Sequence, residues 1–113
     1  EDIAVKHLEK HDYEIIDRNY RKPWGEIDII ASDAENKELV FIEVKAQNKS
    51  FEWRPEENVG FHKKRQLSRI IATYLKEYKI SENQDWRIDV VAIKLDFETK
   101  NAQIEHIKNI MLN

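Results

Sequence analysis

The sequence predicts an α/β fold in which helices flank a mixed sheet. Apolar residues recur with helical spacing in two segments, and five other segments have the apolar patterns of strands, in the order α-β-β-β-α-β-β. The second helix separates the third strand from the fourth, and a strand–helix–strand crossover makes those two strands parallel. The first three strands follow one another closely enough to form an antiparallel meander. The prediction is therefore a mixed five-stranded sheet flanked by helices.

The two helices differ in the strength of their patterns. The first is predicted from Glu1 to about Asp12, because Val5 and Leu8 follow Glu1 at i+4 and i+7. This spacing puts Glu1 on the buried edge of the helix. The second helix is predicted over Lys63–Tyr78, where the apolar stripe is longer. Its members are Leu67, Ile70, Ile71, Tyr74, Leu75 and Tyr78.

The strands are bounded by polar residues, proline and glycine. We predict them over residues 13–19, 27–31, 39–46, 86–95 and 103–110, the last with the weakest pattern. Arg21–Gly25 is predicted as a turn because it contains Pro23 and Gly25, and Ser32–Glu38 as a hairpin connection. Gln47–Gly60 is predicted as an irregular loop, and loops of that length tend to be functional.

Composition indicates one folded domain over residues 1–113. The chain is 41% hydrophobic and contains no cysteine, which excludes disulfides, zinc–thiolate sites and a cysteine nucleophile. This fits a reducing compartment, and we expect a cytoplasmic protein, since we see neither a signal peptide nor an apolar run of the ~20 residues that cross a bilayer. The chain begins with Glu1 rather than Met, which leaves room for preceding residues in the natural protein.

Charge is distributed unevenly along the chain. The formal net charge is −3, but residues 45–69 carry seven basic and three acidic residues, a net charge of +4. Such a stripe can follow a phosphate backbone. An ordinary solvated helix start explains the same charges, and on charge alone that interpretation is the better one.

Three charged residues interrupt apolar strands, where packing does not explain them. Glu43 and Lys45 are two positions apart, so they leave the same face of the third strand, together with Phe41. Asp28 shares a face of the preceding strand with Glu26. If these strands form a hairpin, their carboxylates converge, and carboxylate oxygens are ligands that Mg²⁺ and Mn²⁺ prefer.

A metal held there would polarise a phosphodiester oxygen and acidify a bound water. Lys45 would orient or deprotonate that water, or offset charge that develops on the phosphate. The plain alternative for Glu43 and Lys45 is an ion pair facing solvent. Asp28, 15 positions upstream of Glu43, and Phe41 on the shared face shift the balance towards a site.

Three blocks of the chain resemble a known family. An Asp followed by Glu-x-Lys on a hairpin resembles the PD-(D/E)xK nuclease superfamily, which has the restriction-endonuclease-like fold. Segments Gly25–Ala31, Val40–Lys45 and Arg87–Ile93 more narrowly resemble the YraN-like family of small bacterial proteins, which is grouped with predicted nucleases and is similar to archaeal Holliday-junction resolvases. The resemblance covers nearly the whole chain.

The resemblance implies a Mg²⁺- or Mn²⁺-dependent endonuclease acting on DNA, including branched DNA. Asp28 and Glu43 become metal ligands with the Val44 carbonyl, and Lys45 becomes the catalytic lysine. Glu1 matches a further acidic residue of the first helix. Resolvase activity also implies a homodimer with two sites. The chain departs from the pattern in two ways, since no proline precedes Asp28 and Gln47 stands where relatives often have arginine.

Other candidates for DNA contact are less specific. Four basic residues are candidates for phosphate binding: Lys49, Arg54, Lys63 and Lys64. Trp24 and Trp53 lie in predicted loops beside the site, where they would stack on bases; covering the core is the better interpretation for Trp24. We expect Asp89 to be structural, for example paired with Arg87. The histidines His7, His11, His62 and His106 show no ligand spacing, and we expect them to be non-functional.

Two functions therefore remain open. The first is a metal-dependent nuclease. The second is a non-catalytic module that keeps the fold and binds nucleic acid or adapts one protein to another. An acidic pI of about 5.8, Gln47 and the lack of a dedicated DNA-binding domain favour the second.

Overall fold

The predicted order of helices and strands is confirmed by a computed structural model of the protein. The structure describes residues 1–48 and 61–110, and the side chains of residues 1–46 and 65–110. The helices are α1 (Asp2–Lys10) and α2 (Phe61–Glu77). The strands are β1 (Tyr13–Lys22), β2 (Gly25–Asp33), β3 (Leu39–Asn48), β4 (Trp86–Asp96) and β5 (Asn101–Ile107).

The five strands form one mixed sheet in the order β1-β2-β3-β4-β5. β1, β2 and β3 pair antiparallel as the predicted meander, β3 pairs parallel with β4, and β5 is antiparallel to β4. The parallel pair follows from the α2 crossover, which returns the chain to the end where β3 began. Within the described part of the chain, neither helix is long and apolar enough to cross a membrane.

Each face of the sheet carries its own apolar core. On one face, Phe41 and Val90 pack with buried residues of α2, among them Ile70. On the other face, Val40 and Ile42 pack with Ala4 and Leu8 of α1. Alternate residues of β3 therefore belong to different clusters, as the period of a strand requires. The predicted division of β3 into two apolar faces is confirmed.

Several predicted boundaries are wrong by one to three residues, as is usual for element ends. α1 begins after Glu1 and ends at Lys10. Arg21, Lys22 and Gly25 lie in strands, because pairing of β1 with β2 continues to Lys22–Gly25 and leaves only two residues for the turn. Gln47 ends β3 rather than beginning a loop, since it pairs with β4. The final strand starts at Asn101 and ends at Ile107.

β1 and β2 are irregular where Asp28 lies. Ile27 packs in the cluster under α2, whereas Ile29 packs in the cluster under α1, so alternation is broken between them. Across from this point, Asn19 of β1 has a φ of 54°, a left-handed conformation that asparagine tolerates. Strand parity therefore does not decide the face on which Asp28 lies, and the prediction that it shares a face with Glu26 stays a prediction.

Candidate active site

The sheet divides between β2 and β3 at Asp28 and Glu43. The two strands pair from Ser32–Leu39 to Ile29–Ile42, and their pairing ends there. Beyond that point β2 continues in its pairing with β1, and β3 continues in its pairing with β4. The first residues past the division are Asp28 on β2 and Glu43 on β3. The hairpin thus places the two acidic residues predicted for the site at one fork in the sheet.

Asp28 bridges the fork by a hydrogen bond to the opposite strand. The Val44 N–H donates to Asp28 Oδ2 at 2.8 Å, so a side chain satisfies a backbone group where the ladder has stopped. Burial, the largest influence, raises the pKa of Asp28 to about 6 even though this N–H lowers it. The negative charges of Glu43, Glu1 and Glu26 raise the pKa further. The carboxyl groups are therefore close enough to interact electrostatically.

Glu43 and Lys45 lie on the α2 side of the sheet. Glu43 is aligned with Val90 and Lys45 with Ala92, both of which belong to the core cluster under α2. The Glu43 side chain is only 6% exposed, and Lys45 is half-buried. A buried glutamate is uncommon, because removing its charge from water is costly unless a cation or hydrogen bonds compensate. This arrangement agrees with the prediction that Glu43 and Lys45 share one face of β3.

Glu1 and Glu26 flank Asp28 and make ion pairs of their own. Glu1 caps α1 without a side-chain hydrogen bond to the helix, and its Oε2 lies 3.8 Å from Arg18 Nη2. Glu26 accepts a hydrogen bond from Arg21 Nε at 2.8 Å. Sequence reasoning named both acids but missed both arginines, because cross-strand partners depend on a register that the sequence does not display. We call Asp28, Glu43 and Glu26 the carboxylate cluster, and Glu1 remains a candidate at its edge.

Oxygen ligands for a metal are available at the fork, although they are few. Among the described side chains, no three of the His, Asp and Glu type form a group that could hold a metal ion. Mg²⁺ does not require such a group, since it is usually bound by one or two carboxylates while waters and substrate phosphates complete its shell. Asp28, Glu43 and the Val44 carbonyl match that smaller donor set.

The residues predicted to bind DNA fall largely beyond what the structure describes. Lys49, Arg54 and Trp53 lie outside the described residues. Lys63 and Lys64 lie in the first turn of α2, but their side chains are outside the described part. Their proposed contacts with phosphate therefore stay predictions.

Trp24 packs against α2 at the edge of the core, as expected. It is half-buried beside the cluster under α2, and its Nε1–H donates to Thr73 Oγ1 at 3.3 Å. The guanidinium carbon of Arg69 lies 4.9 Å from the centre of the indole ring, which is within range of a cation–π contact. The contact with Arg69 was not visible in the sequence.

Asp89 has the structural role that was expected of it, with more partners than the sequence indicated. Arg87 Nε donates to Asp89 Oδ1 at 3.0 Å, which confirms the predicted pair. His106 Nε2 lies 2.7 Å from Oδ2, and the Asn109 N–H donates to Oδ1 at 2.9 Å. Burial by itself raises the pKa of Asp89, but these three partners lower it below its usual value.

Arg87 joins this group to the other strands of the sheet. It donates to Tyr13 at the start of β1 and to Glu38 before β3, and it forms an ion pair with Asp33 at the end of β2. We call these residues, with Asp89 and His106, the Arg87 network. All five strands are therefore linked at or next to one of their residues.

Together these features define an α/β protein with a mixed five-stranded sheet and a cluster of carboxylates where two strands part. Residues 1–93 match the family described as "Uncharacterised protein family UPF0102". The chain belongs to the UPF0102 family, which confirms the resemblance to the YraN-like family.

Curated relatives agree with this assignment over nearly the whole chain. The chain is 39% identical over 109 residues to a UPF0102 protein of Clostridium beijerinckii, covering 96% of this chain and 86% of the relative. It is 40% identical over 108 residues to one from Moorella thermoacetica, with 96% and 88% covered. It is 39% identical over 109 residues to one from Geobacter metallireducens, with 96% and 85% covered.

Proposed function

We propose that this protein is a metal-dependent nuclease that hydrolyses phosphodiester bonds in DNA, with branched DNA among its substrates. The observation that carries the proposal is the position of Asp28 and Glu43, which lie directly past the point where β2 and β3 part. Where a sheet divides, side chains and backbone groups of two strands are no longer used in pairing and can bind one ligand together. The resemblance to PD-(D/E)xK nucleases supports the same assignment.

Electrostatics support a cationic ligand at the fork. Asp28 and Glu43 are both withdrawn from water, and after burial the negative charge of Glu43 further disfavours ionisation of Asp28. Two neighbouring carboxyl groups withdrawn from water are unfavourable in a site that serves packing alone. A bound cation reverses this effect, because it favours the ionised form of both groups. Functional sites are where carboxyl groups with perturbed pKa values collect.

Each candidate residue has a distinct role in this proposal. Asp28 and Glu43 would hold the metal with the Val44 carbonyl, and a metal bound there supplies Lewis-acid polarisation of the phosphate and a more acidic water. Lys45, two positions beyond Glu43 on the same face, would orient the attacking water and offset charge growing on the phosphate. Glu1 would add negative charge at the edge of the site.

Cleavage of defined DNAs tests the proposal. Purified wild-type protein is incubated with four-way junction, single-stranded and duplex DNA in Mg²⁺ or Mn²⁺, with EDTA as the blank. We expect cleavage that needs metal and that falls at least ~100-fold in Asp28→Asn, Glu43→Gln and Lys45→Met, about 2.7 kcal/mol of barrier. Asp28→Asn is the sharpest variant, because its amide oxygen can still accept the Val44 N–H while the charge is lost.

Calorimetric titration with Mn²⁺ provides the second readout. Wild-type protein should bind Mn²⁺, and Asp28→Asn should bind it more weakly, whereas Lys6→Gln on the exposed side of α1 should bind as wild type does. Circular dichroism checks that each variant is folded. Absence of cleavage on all three DNAs with either metal, or cleavage that survives in folded Asp28→Asn, would contradict the nuclease.

A second candidate function is a module that keeps the fold and binds without turnover. The specific observation in its favour is the Val44 hydrogen bond, which gives Asp28 a structural task at the fork. This candidate predicts that Asp28→Asn binds DNA as wild type does and that neither protein cuts it. The cleavage assay therefore separates the two functions.

A further inference from the structure

A groove lies between the β1–β2 turn and α2 and has no role in the proposed chemistry. It is shallow and open to solvent, with a volume of about 570 Å³, within the roughly 300–1,000 Å³ typical of ligand pockets. Its lining combines aromatic, cationic and amide side chains. The lining residues are Arg21, Lys22, Pro23, Trp24, Gly25, Glu26 and Gln66.

The indole of Trp24 is held in one orientation at this groove. Its ring nitrogen donates to Thr73 Oγ1, and the Thr73 hydroxyl donates in turn to the Arg69 carbonyl at 2.9 Å. The Arg69 guanidinium lies against the ring. A ring fixed in this way loses little freedom when a planar group stacks on it, and the adjacent cation favours an anionic ligand.

Two further cations stand on the wall of the groove, and both have carboxylate partners. Arg21, whose side chain is 70% exposed, binds Glu26, and Lys22 binds Glu77 at 2.9 Å. Exposed ion pairs of this kind contribute little to stability, so a phosphate can take the place of either carboxylate. The guanidinium of Arg21 can bind a phosphate through two N–H groups at once.

The groove adjoins the carboxylate cluster along β2. Glu26 lines the groove and lies two residues before Asp28, and its charge reaches Asp28. A strand whose scissile phosphate lies at Asp28 would therefore pass its neighbouring nucleotide over this wall.

We propose that the groove binds an unpaired nucleotide of a nucleic-acid strand, with the base stacked on Trp24 and the phosphate on Arg21 and Lys22. The inference rests on the proposed function for the choice of a nucleic acid, and it deepens that function by assigning a preference for single-stranded or branched regions. A base held in a duplex cannot stack on the ring, whereas an unpaired base can.

Fluorescence anisotropy in EDTA tests this inference without any cleavage. The probes are a labelled 12-nucleotide oligothymidine, its abasic analogue with the same phosphates, and a 12-base-pair duplex, all at one salt concentration. We expect wild-type protein to bind the oligothymidine at least ~10-fold more tightly than the abasic strand. Trp24→Leu should remove that difference and change duplex affinity less than about twofold.

Matched variants separate stacking from folding and from bulk charge. Trp86→Leu deletes an exposed tryptophan at the start of β4 and should retain the base-dependent difference. Trp24→Phe keeps a ring and should restore at least half of the binding free energy that Trp24→Leu loses. Arg21→Gln with Lys22→Gln should weaken both single strands, and Lys6→Gln with Lys10→Gln, on the other side of the sheet, should weaken them less.

Equal affinity of folded wild-type protein for the oligothymidine and the abasic strand would overturn the inference, and so would retention of the base-dependent difference in Trp24→Leu. Equally tight binding of a 12-residue polyglutamate peptide would reassign the groove to acidic peptides. Cleavage that is lost in Asp28→Asn while Trp24→Leu binds normally would leave the nuclease standing without this subsite. Base-dependent binding without any cleavage would leave the subsite standing without the nuclease.

Discussion

Asp28 and Asp89 are both aspartates withdrawn from water in the same sheet, yet their surroundings shift their pKa values in opposite directions. Asp89 is completely buried and accepts hydrogen bonds from Arg87 and His106, and its pKa is lowered. Asp28 receives one backbone N–H, has Glu43 as a neighbour, and its pKa is raised to about 6.

This difference teaches how to separate a structural charge from a candidate functional one. Burial is the largest influence on both carboxyls and raises the pKa of each. At Asp89 the hydrogen bonds from His106, Arg87 and Asn109 outweigh burial, whereas at Asp28 the single hydrogen bond from the Val44 N–H does not. The Arg87 network is compensated within the protein, so its role is to hold strands together. The cluster at Asp28 collects like charges, which is useful when a cation is to be bound.

Breaking the Arg87 network should have the largest effect on stability. We expect Arg87→Met to lower the free energy of unfolding by about 3–5 kcal/mol, because the variant leaves Asp89 and Asp33 buried without their cation. Urea unfolding at neutral pH measures the change. Lys22→Met, which breaks the more exposed ion pair with Glu77, should lower the stability far less, because water screens that pair. Equal losses in the two variants would contradict a special role for the network.

Replacing Asp28 should act in the opposite sense and should depend on pH. Since the pKa of Asp28 is raised from 3.8 to about 6, the folded state binds its proton more tightly than the unfolded state does. The associated stability is present below about pH 4 and is lost as pH rises through 6. In EDTA, Asp28→Asn should therefore be more stable than wild type at pH 7, by on the order of 1–3 kcal/mol.

Unfolding curves at several pH values measure this effect, and Asp89 provides the contrast. A carboxyl with a lowered pKa contributes stability above its unfolded pKa and loses it as pH falls. Acidification should therefore reduce the stability cost of Asp89→Asn only below about pH 4, whereas it should reduce the stability gained by Asp28→Asn between about pH 6 and pH 4. If the stability gained by Asp28→Asn relative to wild type does not change between about pH 4 and pH 7, then the pKa of Asp28 is not raised in the folded protein.

Removing Glu26 should have the smallest effect and decides whether it lies at the centre of the carboxylate cluster. Its carboxylate forms an ion pair with Arg21 near the surface, so Glu26→Gln should change stability by less than about 1 kcal/mol. It should lower the pKa of Asp28 less than Glu43→Gln does, because Glu43 has the stronger influence on that carboxyl. Carbon-13 NMR titration of the aspartate carboxyls measures the pKa of Asp28 in both variants, Glu26→Gln and Glu43→Gln. A larger shift in Glu26→Gln would place Glu26 at the centre of the site.

The sequence was most informative where a charged residue interrupts an apolar strand, because such residues are rare there and have few possible roles. Glu43 and Lys45 in an apolar strand could be assigned to one face by parity, and the structure puts both beside the cluster under α2. Asp89 was correctly paired with Arg87 because they are two positions apart on one strand. Parity cannot assign the face of Asp28, because the alternation of faces along β2 is broken between Ile27 and Ile29.

Contacts between distant segments were not predictable in the same way. Arg21 looked like a turn residue, and only the register of β1 with β2 brings it to Glu26. His106 was expected to be non-functional because it has no ligand spacing, yet it meets Asp89 from the neighbouring strand. The Trp24 groove depends on where α2 crosses β2, which no local pattern encodes.

The sequence by itself determined the order of the elements, the α/β class and the acidic pair on neighbouring strands, because these follow from hydrophobic periodicity and from the rarity of charges in apolar runs. Tertiary structure alone decided that β2 and β3 part at Asp28 and Glu43, that the charge of Glu1 acts on Asp28, and that the pKa of Asp28 rises. The physical reason is that burial and electrostatic interaction depend on distances between atoms far apart in the chain, and these exist only once the sheet and helices have packed.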